Sequence, residues 1–158
     1  SNLPVGSVVQ VIQTAFVGGN ESTTSDTYQA SAMHMTIEKH FATSKVLVTM
    51  AGGHQYQNAY PNGTISTICQ EGSSSTLTAS TTYSASNDYT SGLSFGMQQV
   101  YNSTTLNTAP HSKNYLFAST GNQFEAFRNF YRARVSGRSA QFVEAGHQIT
   151  MTLMEIKQ

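Results

Sequence analysis

The alternation of apolar and polar residues predicts β-strands along almost the whole chain. Near the C-terminal end, Ile149, Met151 and Leu153 alternate with threonines, which is the period of two that a strand with one buried face produces. From Met154 onward the apolar residues change sides, so we expect a strand whose buried face switches near its end. Residues 8–14 form a similar apolar run. We expect these two segments to pair as neighbouring central strands, so that the two ends of the chain meet in the core.

Further strands are predicted between these two ends. Residues 45–51 are apolar on nearly both faces, which is typical of a central strand, and the Gly-Gly pair that starts at Gly52 predicts its end or a bulge. We expect a long turn at residues 15–27 and a loop at residues 102–114, which include Pro110. The other predicted strands are residues 28–41, 64–70, 73–87, 93–101 and 115–118.

Residues 123–135 fit two kinds of secondary structure. Phe124, Phe127, Tyr131 and Val135 have the spacing of a helix, but the last three of them also share strand parity. The β character of the rest of the chain favours a strand. About eight strands joined by turns predict an all-β fold, an antiparallel β-sandwich of jelly-roll type, with residues 1–158 in one domain.

The composition describes a surface made polar by hydroxyls and amides. Only 10% of the 158 residues are charged, the net charge is zero, and about a quarter of the chain is Ser or Thr. Such chains are typical of β-rich proteins that work outside cells or in assemblies. The lack of net positive charge argues against nucleic-acid binding through phosphate neutralisation, and no segment predicts membrane insertion. The single cysteine, Cys69, excludes an intrachain disulfide and fits a small buried hydrophobe.

Three segments together resemble a known group of proteins. They are Gly-Ser-Val-Val-Gln-Val-Ile-Gln-Thr at residues 6–14, Ala-Thr-Ser-Lys-Val-Leu-Val at 42–48 and Ile-Thr-Met-Thr-Leu-Met-Glu-Ile at 149–156. This order resembles tailed-phage virion domains of the marine and cyanobacterial phage type, which open and close on similar strands. The resemblance implies a tail-fibre, spike or head-fibre tip domain that forms a homotrimer and is located on the virion.

Residue types with catalytic or metal-binding chemistry are present without a recognisable motif. None of the five histidines has a Cys, Asp or second His at a spacing that identifies a metal site. One histidine meeting its copies on a trimer axis remains an open alternative. The eight acidic residues form no pair that sequence can place across a cleft, and no nucleophile elbow or phosphate loop occurs. We therefore expect a protein without catalytic residues, metal or cofactor.

One candidate binding segment contains all four arginines, within residues 128–138. In a strand, Arg128, Arg132 and Arg134 would share one face. That face fits either a solvated surface with ion pairs between subunits, to acidic residues such as Glu125, or a patch for anionic polysaccharide.

Aromatic and amide residues in the loops are the second candidate. Their rings can stack on the C–H faces of sugars while amides bind the hydroxyls, but tyrosines also pack subunit interfaces, so both roles stay open. The ligand-binding residues predicted from both candidates are Tyr56, Asn58, Tyr60, Asn62, Tyr83, Asp88, Tyr89, Arg132 and Arg134.

These observations lead to one functional expectation and two alternatives. We expect a non-enzymatic virion structural domain that trimerises, contacts other virion proteins, and displays loops that attach to a glycan or protein on the host cell surface. The first alternative is a purely architectural decoration or trimerisation module. The second is a fragment of an enzyme that depolymerises surface polysaccharide.

Overall fold

A computed structural model of the protein describes residues 3–17, 19, 21–58, 64–72, 97–99, 107–133, 139–143 and 145–158. Within these ranges the secondary structure consists of ten strands and no helix, and eight of the strands are at least five residues long. The strands are Val8–Val17 (β1), Glu21–Thr23 (β2), Gln29–Glu38 (β3), Lys45–Asn58 (β4), Thr64–Gly72 (β5), Met97–Gln99 (β6), Asn107–Phe117 (β7), Phe124–Ala133 (β8), Ser139–Val143 (β9) and Gln148–Ile156 (β10).

The first half of the chain pairs with the second half in reverse order. β1 pairs with β10, β2 with β9, β3 with β8, β4 with β7 and β5 with β6, all antiparallel. This long ribbon folds over, so that β10 and β9 also pair with β4 and β5 also pairs with β8. The result is a six-stranded sheet with the order β1-β10-β4-β9-β2, in which β7 also pairs with β4, and a four-stranded sheet with the order β3-β8-β5-β6. The predicted antiparallel sandwich of jelly-roll type is confirmed.

Apolar side chains from both sheets fill the space between them. The six-stranded sheet contributes alternate residues such as Val46, Val48 and Met50, and the four-stranded sheet contributes others such as Met33 and Ile37. Aromatic rings join the two layers, since Phe117 contacts Phe127 edge to face and Tyr131 stacks on Phe142. Together these residues form one buried cluster, which is the core that the strand alternation predicted.

The two ends of the chain pair as expected, from Val8 opposite Ile156 to Val17 opposite Gln148, with a shift of register between Val8 and Gln10. β10 is central, but the expectation that β1 is central too is wrong, since β1 lies at the edge of its sheet. The predicted switch of the buried face is also wrong. Glu155 continues the inward side of Leu153 and is completely buried, because polar groups of the protein satisfy its carboxylate.

The glycine at position 52 marks a bulge within β4 and not its end. Its φ is +90°, and a Cβ built there would lie 2.8 Å from the carbonyl oxygen of Gln148. The pairing with β7 shifts register between Gly52 and Gln55, and the strand continues to Asn58. The predicted bulge is therefore confirmed. Glycine is required at position 52 because β4 and β10 approach too closely there for a Cβ atom.

Two predicted loops are partly wrong because they contain strand. Residues 15–27 include the end of β1 and all of β2. Residues 102–114 include most of β7, and Pro110 is accommodated there because β7 lies at an edge and its register shifts at this point. Lys113 on the same strand pairs with the inward-facing Met50, and burial lowers the pKa of its amine to about 8. Proline and an inward lysine both discourage a further strand from adding to this edge.

Residues 124–133 form a strand, as favoured, and both of its faces are buried. Phe127 points into the core, while Phe130 and Arg132 lie on the other face with exposures of 2% or less. Of the residues that matched a helical period, Phe127 and Tyr131 share the inner face, whereas Phe124 is 42% exposed, so strand parity and not helical spacing describes their burial. The predicted strand at residues 73–87, and residues 93–96 and 100–101 of the next one, lie outside the described residues.

Candidate functional site

The two ends of the sandwich differ in what they contain. At the end called the base, the first and last described segments are joined, since the Gly6 N–H donates to the Lys157 carbonyl and the Lys157 N–H donates to the Ser7 carbonyl. The Lys157 ammonium also donates to the Leu3 carbonyl at 2.6 Å. The turn between β3 and β4 lies at this end as well, because Lys45 pairs with Ile156. Both termini of the described chain therefore leave the sandwich at the base.

Six strand ends meet at the opposite end, called the tip. β4 ends there beside the start of β9 and of β7, with Asn58 opposite Ser139 and Gln57 opposite Asn107. In the other sheet, the start of β5 lies beside the ends of β6 and β8. The three connections 59–63, 100–106 and 134–138 therefore all begin and end at the tip.

The predicted ligand-binding residues are only partly located. Tyr56 and Asn58 lie in the last three residues of β4, where the backbone of β4 pairs with β9 at the tip. Tyr60, Asn62 and Arg134 belong to the connections 59–63 and 134–138, whose flanking strand ends meet there. These three residues, together with Tyr83, Asp88 and Tyr89, lie outside the described residues. The topology thus brings the segments around six of the nine predicted residues to the same end, since Arg132 is next to the last residue of β8.

Arg132 has a structural role in the described chain. Its side chain is 2% exposed, its guanidinium donates to the Asp26 carbonyl at 3.0 Å, and it lies 4.9 Å from the centre of the Tyr28 ring. Both interpretations of the arginine segment need an exposed guanidinium, and Arg132 does not provide one. Arg128 likewise donates to the Ser31 carbonyl of the neighbouring strand. Arg132 thus holds β8 against the segment that leads into β3, and Arg128 holds it against β3 itself.

Glu125, one of the acidic residues that could have paired with arginines of another subunit, forms a buried ion pair inside the chain. Its carboxylate accepts a hydrogen bond from the Lys39 ammonium at 2.6 Å, and both side chains are almost fully buried. Lys39 also donates to the carbonyls of Ala42 and Ser44, and the Thr120 hydroxyl donates to the same Glu125 oxygen. All three ammonium protons thus have acceptors, so this pair fixes the turn between β3 and β4 to β8.

Glu155 fixes the same turn from the other sheet. Its two oxygens accept the backbone N–H groups of His40 at 3.0 Å and Phe41 at 2.9 Å, and the Gln10 amide donates at 2.8 Å. Burial alone would raise the pKa of this carboxyl, but the hydrogen bonds from His40, Phe41 and Gln10 lower it to about 2. With its oxygens engaged in this way, the carboxylate acts as an anchor for the turn and not as a proton acceptor for a substrate.

A cavity of about 330 Å³ opens on the side of the sandwich where β1 and β3 form the two sheet edges. Phe16, Val17, Met33 and Ile149 contribute its apolar walls. The Glu21 carboxylate lies at its rim and accepts hydrogen bonds from the Ser31 hydroxyl and the Ala32 N–H. None of the predicted ligand-binding residues lines this cavity.

Sequence reasoning missed the buried charged residues at the base, Lys39, Glu125 and Glu155, although the alternation of the strands contains a signal for two of them. Lys39 continues the parity of Met35 and Ile37, and Glu155 continues that of Leu153. A charged residue at the apolar parity near a strand end indicates a buried polar anchor.

Neither a metal site nor a membrane-spanning helix is found in the described part of the chain, and the sequence matches no family model. Within the described residues, no group of three or more His, Cys, Asp or Glu side chains is placed to hold a metal ion. No helix of sufficient length and hydropathy to span a membrane occurs in that part of the chain. No protein-family model matches this sequence, and no curated protein matches it either.

Proposed function

We propose that this protein is a non-enzymatic display domain of a phage virion, a fibre, spike or head-fibre tip that attaches to the host surface. The observation that supports this most directly is the separation of base and tip. Both described termini leave at the base, whereas three connections begin and end at the tip. A domain joined to a stalk at its base would present these connections outward, as attachment requires.

The composition supports the same proposal. A surface with few charges and many hydroxyls and amides suits a particle exposed to the environment. The tip connections contain tyrosines and amides, which are residue types suited to binding sugars. The three segments that resemble tailed-phage domains, residues 6–14, 42–48 and 149–156, all form strands or the turn at the base. In this proposal they build the frame, and the tip varies with the receptor.

The proposed attachment can be tested with the labelled wild-type domain on an array of bacterial surface polysaccharides and on a panel of intact bacteria. We expect binding to a subset of them and at least a tenfold loss with Tyr60→Ala, whose residue belongs to a tip connection. Phe124→Ala is the matched control, because Phe124 is an exposed aromatic residue near the base. Binding no better than that of a heat-unfolded sample, or equal losses in both variants, would refute the proposal.

A purely architectural module is the second candidate, and one observation favours it. The outer face of the six-stranded sheet carries exposed apolar residues, including Val11 and Leu116. Such a surface suits contacts between subunits more than contacts with a glycan. Self-association without binding to any cell or polysaccharide would favour this candidate.

A further inference from the structure

The outer face of the six-stranded sheet is divided into two chemically different halves. In the half near the base, one apolar row crosses four strands, because Val11 pairs with Met154, Met154 with Leu47 and Leu47 with Leu116. Val8 and Ile156 form the next pair towards the base. We call these residues the base patch: Val8, Val11, Leu47, Leu116, Met154 and Ile156.

The described residues that adjoin the base patch on its tip side are polar and uncharged. The next row towards the tip contains Gln13, Thr152, Thr49 and Asn114 in register, and the Gln13 amide donates to the Thr152 hydroxyl. Lys45 borders the base patch on the opposite side, where it pairs with Ile156. An apolar centre with a polar rim is the arrangement found in interfaces between proteins.

Solvent reaches the base patch in the single chain. Val8 and Val11 are each 53% exposed and Leu116 is 46% exposed, while the other three members are half-buried. The exposed apolar area is on the order of 300 Å², which is in the range of the largest apolar patch on a typical soluble monomer, and such patches are often functional. Alternate residues of the same strands fill the core, so these outward side chains add nothing to it.

We propose that the base patch is the surface through which copies of this chain associate. This inference rests on the proposed function, in which copies joined at their bases to a common stalk point the same way. If the copies are related by rotation about an axis that runs parallel to the direction from base to tip, all base patches lie at the same level along that axis and can face one another. The patch itself contains no charged residue, so its apolar surfaces meet without like-charge repulsion, and its charged neighbour Lys45 lies at the rim, where solvent screens it.

Sedimentation equilibrium of matched aspartate variants tests the base patch. We expect the wild type to sediment as a multiple of the chain mass, three in the expected homotrimer, and Leu116→Asp to sediment as a single chain. Ser112→Asp is the control, because Ser112 is exposed on the same face of β7 but pairs with Ala51, two rows from the base patch towards the tip. It should keep the wild-type mass. Val11→Asp, at the opposite edge of the row, should repeat the result of Leu116→Asp.

Far-UV circular dichroism separates dissociation from unfolding, and the wild-type spectrum is expected for every variant. A wild type of single-chain mass at about 100 μM, association only with a different protein, or unchanged mass in both patch variants would overturn the inference. The readout is independent of host binding. A wild type that is a single chain and still binds cells would refute the interface and leave the proposed function standing. A wild type that associates through the base patch but binds no cell or polysaccharide would support the interface and refute the proposed function.

Discussion

Replacing Glu155 with glutamine tests whether its carboxylate anchors the base. The substitution keeps the shape of the side chain but removes the charge, and it turns one acceptor oxygen into an NH₂ group. That group would face a backbone N–H, of His40 or Phe41, so two donors would meet in a buried site. We expect the variant to fold and to lose stability at neutral pH.

The magnitude follows from the pKa of the carboxyl, which is 4.5 for a free side chain and about 2 in the fold. A difference of this size corresponds to about 3 kcal/mol of stability above pH 4.5. Because the pKa is lower in the folded state, this contribution is lost as the pH falls from 4.5 through 2. At pH 3 about 1.4 kcal/mol remains. The gap between wild type and Glu155→Gln should therefore narrow by about 2 kcal/mol between pH 7 and pH 3.

Urea unfolding at several pH values measures this gap. The exposed Glu38→Gln is the matched control, and it should change stability by less than about 0.5 kcal/mol at neutral pH. The His40 ring lies 3.3 Å from the Glu155 carboxylate, so the series should be repeated in a His40→Ala background, which removes the ring and keeps the backbone donor. A gap that stays constant from pH 7 to pH 3 would refute the anchoring role.

Two further substitutions test local features of the fold by urea unfolding. Gly52→Ala should cost about 2 kcal/mol or more, because a Cβ would meet the Gln148 carbonyl at 2.8 Å. Gly121→Ala shares the left-handed φ without such a contact and should cost about 1 kcal/mol; equal costs would remove the contact from the explanation. Lys39→Met should cost about 3 to 5 kcal/mol, because it leaves the Glu125 charge buried without its partner, and Lys39→Met/Glu125→Leu should restore much of this loss. A double variant as unstable as the single one would contradict that reasoning.

The strands that alternate most clearly were the most predictable part of the fold. Residues 28–41 and 149–156 each place apolar residues on one side, and both form strands near the expected bounds. The pairing of the two ends also followed from their shared apolar character. β2 and β9 are short and were not recognised, because three to five residues carry too little alternation to stand out among turns.

The candidate sites show where sequence reasoning fails. The face switch was predicted because Met154 and Ile156 are apolar, but both lie on the outer face while Glu155 stays inside. Composition cannot show that two backbone N–H groups from a distant turn will stabilise a buried carboxylate. Arg132 was taken for an exposed ligand-binding residue for the same reason, since its partner is the Asp26 carbonyl, more than a hundred residues away.

The folded-over ribbon has a consequence for how this protein is made on the ribosome. β10 occupies the gap between β1 and β4, yet it is synthesised after all the other nine strands described here. Until β10 emerges, the facing edges of β1 and β4 have no strand to pair with. The core also lacks the side chains that β10 contributes to it. Products that terminate before β10 would therefore remain incompletely folded and would be left to proteases and chaperones, and only chains translated through β10 would complete the fold.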